Sequence, residues 1–382
     1  MMFSIALSIL ACSPGAGEDS GVPSASTALE WASPEEWGPL DVGAITMRWV
    51  DSRGKNMVAE IWYPARPDAG DEPKPYPPLG LAGEAIRNAE ADQRFGPYPL
   101  VAFSHGYGGI RFQSIYLTEF LASHGFVVVS PQHRYNTFLD LNDDELLEVT
   151  LQRPGDVMES VDEVSRRVAV AGERMFGLVE VGDYAMVGHS FGAWTSMMVG
   201  GGTLNIDGLA ARCANGGGHL CGSLAEITED TLATHRMTDP RAAVTVPMSP
   251  GMWYAFGPDG ESAPGLLQVR KPLVLGGDAD PVLGYVDEIE PSYANMASPK
   301  TLVNFHGTGH YAFSNMCDLA PFFTEECAGE EGGWSDVATV QRLSRTIVLA
   351  HLRHRWLGQD LDEPYTASNW LAGTPAVDVF EQ

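Results

Sequence analysis

Ser190 stands between two glycines in Val187-Gly188-His189-Ser190-Phe191-Gly192-Ala193. The apolar run Asp183-Tyr184-Ala185-Met186-Val187 before it has strand character, and Ala193 to Val199 after it continues as a helix. Strand, tight turn and helix hold a hydroxyl at the tip of the turn. The glycines keep Cβ atoms out of the way, and the helix N-terminus behind the serine favours negative charge. Such a serine is a candidate nucleophile. The Gly-x-Ser-x-Gly spacing also occurs by chance, so its partners decide the matter.

Three further stretches supply partners. Val101-Ala102-Phe103-Ser104-His105-Gly106-Tyr107-Gly108-Gly109 is an apolar strand running into a glycine-rich loop. The backbone N–H of Tyr107 with that of Phe191 would form an oxyanion hole; the plain alternative is an ordinary glycine turn. Pro272 to Val282 is a strand ending in two carboxylates, Asp278 and Asp280. Asp280 is the better histidine partner because the acid sits a few residues past the strand end, whereas Asp278 is placed to cap the turn. Leu302-Val303-Asn304-Phe305-His306-Gly307-Thr308-Gly309-His310-Tyr311 then delivers a histidine on a loop. His310 is favoured over His306, which lies closer to the strand.

The chain order Ser190, Asp280, His310 is that of the α/β-hydrolases. The sequence resembles the dienelactone-hydrolase superfamily within that fold, near the platelet-activating-factor acetylhydrolase-like group and the polyester hydrolases (cutinases). The resemblance is carried by Ile61-Trp62-Tyr63-Pro64-Ala65, Phe103 to Gly109, Arg153-Pro154-Gly155-Asp156-Val157, Gly188 to Gly192 and Gly307-Thr308-Gly309-His310. It implies a mostly parallel central sheet flanked by helices and a serine ester hydrolase without metal or organic cofactor. Its substrates would be short or modified acyl esters, with polyesters or cutin as a narrower version. In the polyester-hydrolase relatives, a Trp and an oxyanion-loop Tyr flank the acyl group. Trp253, with Met252 beside it, and Tyr107 resemble these; the alternative for Trp253 is a core position. A peptidase or amidase would share the same triad, and a non-catalytic binding protein on a hydrolase scaffold is the alternative of another class.

Composition bounds the partners. With 382 residues, a formal charge of −27 and lysine only at Lys55, Lys74, Lys271 and Lys300, nucleic acid is excluded as a natural partner. A hydrophobic content of 44% is ample for a core, and a single catalytic domain over 39–382 is expected, as a monomer. Met1 to Cys12 resembles a bacterial lipoprotein signal, in which Cys12 would be lipidated and tether the protein to a membrane. It departs from that pattern in having no Lys or Arg before a short apolar run, and a plain secretory signal is the alternative. Residues 13–38 have tether composition and are expected to be disordered. The remaining cysteines suit Cys213–Cys221 and Cys317–Cys327 disulfides in an exported protein; four cysteines allow three pairings, and a zinc site is the rival.

The intervening chain reads as elements that position these loops. Val42 to Val50 and Met57 to Tyr63 form an antiparallel hairpin, and 66–99 is a surface insertion with a helix near Leu81 to Ala91. Ser114 to His124 is a helix and Phe126 to Val129 a buried strand. Asp140 to Glu145 is a solvated helix start, lacking the glycine and final glutamate of a calcium loop. A long amphipathic helix covers Asp156 to Phe176. The insertion 200–240 is a partial lid, Ala242 to Met248 a strand, Asp336 to Trp356 a helix with Val340, Leu343, Ile347, Val348 and Leu352 inward, and the chain beyond Gly358 an irregular tail.

Overall fold

The computed structural model describes residues 32–214, 221, 226–258, 260–359 and 377–382. The proposed signal, Cys12 and most of the tether lie outside these residues. The first strands are β1 (Asp41–Val50) and β2 (Asn56–Arg66), an antiparallel hairpin pairing Asp41 with Ala65 and Val50 with Asn56. Its turn closes on the Asp51 carboxylate, which accepts the N–H groups of Arg53 and Lys55. Short strands β3 (Ile86–Arg87) and β4 (Glu90–Ala91) follow where a helix was expected. The apolar spacing of Leu81, Ala85, Ala89 and Ala91 reflects burial of an irregular chain against the hairpin edge rather than a helical face.

Next come β5 (Tyr98–Ser104), α1 (Ile115–Ser123), β6 (Val127–Pro131), α2 (Leu146–Val168), β7 (Val179–His189) and α3 (Phe191–Val199). Helices α4 (Ile206–Ala214) and α5 (Glu229–Ala233) belong to the 200–240 insertion. They precede β8 (Ala242–Met248), β9 (Leu273–Gly277), α6 (Glu290–Ala294), β10 (Thr301–Phe305), α7 (Met316–Leu319), α8 (Val337–His351) and β11 (Val377–Glu381). The sheet order is β11-β10-β9-β8-β7-β5-β6-β2-β1-β3, with β4 on β2. Strands β6, β5, β7, β8, β9 and β10 run parallel, and β2 and β11 are antiparallel to their neighbours. From β5 the chain moves one way to β6 and then crosses back to place β7 on the other side. The carboxyl ends of β5 and β7 thus form a topological switch point, where open α/β sheets leave a crevice.

Strand alternation divides the core between the two faces of the sheet. Trp62, Val101, Phe103 and Val128 face a cluster with Phe120 of α1 and Val340, Leu343, Ile347 and Val348 of α8. Ile61, Tyr63, Leu100 and Val129 face Val157, Val161, Val164 and Val168 of α2. A third cluster joins Trp194, Met197 and Met198 of α3 to Leu209, Tyr254 and Phe256. Cys213–Cys221 and Cys317–Cys327 are both disulfides.

Three further expectations differ from the structure. Helix α2 spans Leu146 to Val168, so it begins ten residues before Asp156 and ends short of Phe176, and it takes Pro154, which lacks an N–H, inside it. The end of the tether is docked: Trp37 meets Phe120 edge-on at 5.7 Å between ring centroids, and Gly38 N–H donates to Ser123 Oγ. The end of the tail is the edge strand β11, antiparallel to β10. In its sequence, Val377-Asp378-Val379-Phe380-Glu381, two acidic residues break up the apolar ones, which suits an exposed sheet edge.

Candidate active site

Ser190 occupies the step from β7 to α3 with φ 59° and ψ −121°, a strained backbone for a residue with a side chain. Its own N–H is tied to Met248 O at 2.9 Å, at the end of β8. The flanking glycines are dictated by contact. A Cβ on Gly188 would lie 2.0 Å from Gly192 O, and one on Gly192 would lie 1.9 Å from Ser104 O at the end of β5. The end of β5 and the start of α3 therefore touch through bare backbone directly behind the serine.

The glycine-rich loop after β5 lies against this turn, since a Cβ on Gly106 would come 3.3 Å from Ser190 Cβ. Gly106 N–H donates to Gln113 Oε1 at 2.9 Å. The next N–H, that of Tyr107, makes no hydrogen bond among the described residues. Phe191 is the first residue of α3, where an N–H has no carbonyl four residues back to bond. The Tyr107 side chain is half-exposed, and its hydroxyl donates to Asp143. Met252, in a left-handed backbone conformation, is buried in the third core cluster. Trp253 is partly buried and donates its indole N–H to Asp287 O at 2.8 Å.

His310 and Asp280 come together. Nδ1 of His310 donates to Asp280 Oδ2 at 2.7 Å, both side chains being buried. The other carboxylate oxygen accepts the N–H groups of Val282 and Leu283, each at 2.8 Å. Burial alone would push the Asp280 carboxyl up. The hydrogen bond and charge of His310 with the two N–H groups outweigh it and hold the group below the usual carboxylate range.

The rejected residues form a second pair. His306 Nδ1 lies 2.6 Å from Asp278 Oδ2 and its Nε2 lies 3.0 Å from Asp378 Oδ2 of β11. Asp278 also accepts Gly307 N–H. This exposed pair locks β11 and the turn after β10 in place.

Several residues that shape the site carried no sequence signal. Gln113 Nε2 donates to His189 Nδ1 at 2.9 Å, and His189 Nε2 donates to His310 O at 3.0 Å. With the Gly106 bond, this chain links the glycine loop, the serine turn and the histidine loop. Burial pushes His189 down to about 3, so it stays neutral and keeps the tautomer the chain needs. Beneath it, the fully buried Arg153 donates to Thr195 Oγ1 at 2.9 Å, Asn136 Oδ1 at 2.6 Å, Ser104 Oγ at 3.0 Å and His105 O. Its guanidinium lies 4.6 Å from the Phe191 ring centroid. His133 extends the network, with Nε2 2.9 Å from Ser104 Oγ and Nδ1 3.1 Å from Asp156 Oδ2. The Arg153-Pro154-Gly155-Asp156 motif thus works from below the site. Asp140, in the acidic stretch, caps its own loop by accepting Tyr135 and Thr137 N–H. Among the described residues, no group of three or more His, Cys, Asp or Glu is arranged to hold a metal ion.

Residues 80–139 match the profile of the family described as platelet-activating factor acetylhydrolase, isoform II. The match takes in the glycine loop and ends before Ser190. No curated protein sequence matches the chain. Among solved structures, the chain is similar to a ferulic acid esterase from Streptomyces cinnamoneus, with 19% identity and a TM-score of 0.60 over 90% of this chain and 97% of that one. The fold is that of the α/β-hydrolases. In that fold, the ends of β5, β7, β9 and β10 are where Tyr107, Ser190, Asp280 and His310 stand.

The glycine contact predicts that Gly192→Ala forces a Cβ onto an immovable carbonyl and destabilises the protein by roughly 1–3 kcal/mol, measured by urea unfolding. Hydrogen bonds to the Asp278 and Asp378 carboxylates raise His306 above its ordinary value. A raised group contributes stability below its unfolded pKa of about 6.5 and loses it as pH rises through the folded value. The melting-temperature gap between wild type and His306→Gln should therefore be larger near pH 5.5 than near pH 9.

Proposed function

We propose that the protein is a serine carboxylic-ester hydrolase of short or modified acyl esters. The observation that carries this reading is the buried His310–Asp280 hydrogen bond of 2.7 Å on loops beside a strained serine turn. Ser190 Oγ attacks the ester carbonyl while His310 Nε2 takes its proton. Asp280 keeps the imidazole in the tautomer with its proton on Nδ1 and supports the imidazolium. The N–H groups of Tyr107 and Phe191 receive the charge that develops on the carbonyl oxygen. His310 returns the proton to the departing alcohol. Water, deprotonated by the same histidine, then cleaves the acyl-enzyme and frees Ser190. The family matched over 80–139 and the esterase activity named for the similar solved structure both support ester over amide substrates.

A second reading, an extended or water-insoluble ester such as a polyester, is favoured by the rim. Phe138 and Leu139 after β6, Val282 after β9, and Phe322 and Phe323 after β10 are all exposed apolar side chains. The residue-108 end of the glycine loop bridges to Thr137 and so adjoins the first of these. The two disulfides suit an oxidising compartment, and export, with Cys12 as a lipid anchor, is part of the proposal. We take the protein to act as a monomer on small-molecule or polymeric esters.

Hydrolysis of p-nitrophenyl esters of increasing acyl length tests the reading. Ser190→Ala should abolish turnover with the fold intact by circular dichroism, and persistent activity would overturn the assignment. Turnover falling steeply with chain length supports a small acyl pocket, whereas sustained turnover supports the insoluble-ester reading. Asp280→Asn should lower kcat by about 10³–10⁴-fold, while Asp278→Asn leaves it within about threefold.

A further inference from the structure

A second carboxylate lies against the histidine loop. Glu326 is 3% exposed; its Oε1 accepts the N–H of Tyr311, the residue after His310. Among the described residues its Oε2 has no hydrogen-bond partner, and it fills the place of a side chain at Gly309, where a Cβ would lie 1.7 Å from it. An acid buried with one oxygen unsatisfied is costly. The cost is smaller if a positive charge forms nearby, and the charges of Glu326 and His310 interact.

The chain goes out of its way to bring Glu326 there. After His310 it makes a turn (Tyr311–Phe313), runs through α7 and returns, and Cys327, next to Glu326, is bonded to Cys317 of α7. Farther along, Ser335 N–H donates to Gly307 O and Ser335 Oγ to His306 O. The returning segment is thus clamped beneath the loop that carries His310.

We propose that Glu326 is a positioning residue for His310. Its carboxylate fixes the histidine loop and favours the imidazolium formed when Ser190 gives up its proton, and the Cys317–Cys327 disulfide holds it in place. This rests on the serine-hydrolase reading above. The other titratable groups facing His310 are Asp280 from the loop after β9, His189 from the serine turn and Tyr311 beside it. Of these, Asp280 carries a negative charge and His189 is neutral; burial raises the Glu326 carboxyl above its ordinary value, the Tyr311 N–H and the charge of His310 oppose that rise, and in its ionised form Glu326 is the second negative charge facing His310. Removing it should take that support from the imidazolium formed during turnover.

The test uses the full chain and reads two quantities between pH 5 and 9: the rate at which a p-nitrophenyl phosphonate labels Ser190, and steady-state p-nitrophenyl ester hydrolysis. Glu326→Gln keeps the shape and an acceptor oxygen but not the charge. It should lower kcat and the labelling rate roughly tenfold, leave KM within about twofold and move the acid limb of both profiles to lower pH. Glu326→Asp, which keeps the charge, should retain the wild-type acid limb. Cys317→Ser with Cys327→Ser should change both quantities in the direction of Glu326→Gln. A folded Glu326→Gln protein with wild-type kcat and an unmoved acid limb overturns the proposal. If that variant does not fold, wild-type behaviour of the disulfide-free protein overturns it instead. A wild-type protein whose Ser190 is not labelled brings down the serine-hydrolase reading itself, an outcome distinct from either.

Discussion

The backbone contact between the end of β5 and the start of α3 is the constraint on which the site depends. Behind Ser190, the carbonyl of Ser104 meets Gly192 so closely that no β-carbon fits. That contact fixes how far the loop after β5 lies from the start of α3, and those segments carry the N–H groups of Tyr107 and Phe191. Strand pairing alone would leave this distance loose, because loops after strands are free to splay. Arg153 closes the seam from below by donating to His105 O on one side and Thr195 Oγ1 on the other. Its partners there are neutral oxygens, and burial pulls the guanidinium down to about 9. A lysine offers one point charge where this seam uses a planar fork of donors.

Burial sorts the histidines by role. His105, His133 and His189 are buried, and burial holds all three well below the ordinary histidine value, so they serve as neutral hydrogen-bonding units. His310 is equally buried but faces a carboxylate, and that difference suits an imidazole to carrying a transient charge. His306 also faces carboxylates, but its exposure lets water screen them. Two Asp–His pairs two to four residues apart in sequence thus differ in environment because the loop after β10 turns one inward and leaves the other at the sheet edge.

The sequence was most legible where local physics decides. The parallel strands are short apolar runs ending in turns. The serine turn requires its glycines for steric reasons, and the choice of Asp280 with His310 over Asp278 with His306 follows from distance past a strand end. The long helix was misplaced at both ends: it starts before Pro154, usually a boundary, and stops at Val168. The short strands at 86–91 were read as helix because irregular buried chain can mimic helical spacing by accident. What stayed illegible is non-local. Gln113 and His189 are 76 residues apart, and no pattern within either segment announces that a side-chain amide will join two loops.

The same distinction bears on how substrate choice is divided from chemistry. The groups around Ser190 are held by buried hydrogen bonds that leave little room for adjustment, whereas the apolar rim residues Phe138, Leu139, Val282 and Phe322 stand on loops with exposed side chains. On the proposed reading, a change at the rim alters which ester is presented to the serine without disturbing the hydrogen bonds that orient it. Glu326 is the exception to this division. It belongs to a disulfide-bounded excursion whose outer residues, Phe322 and Phe323, lie at the rim, and Phe323 packs edge-on against Tyr311 at 5.1 Å. Through Tyr311, whose N–H binds Glu326, the excursion links the outer surface to the loop holding His310.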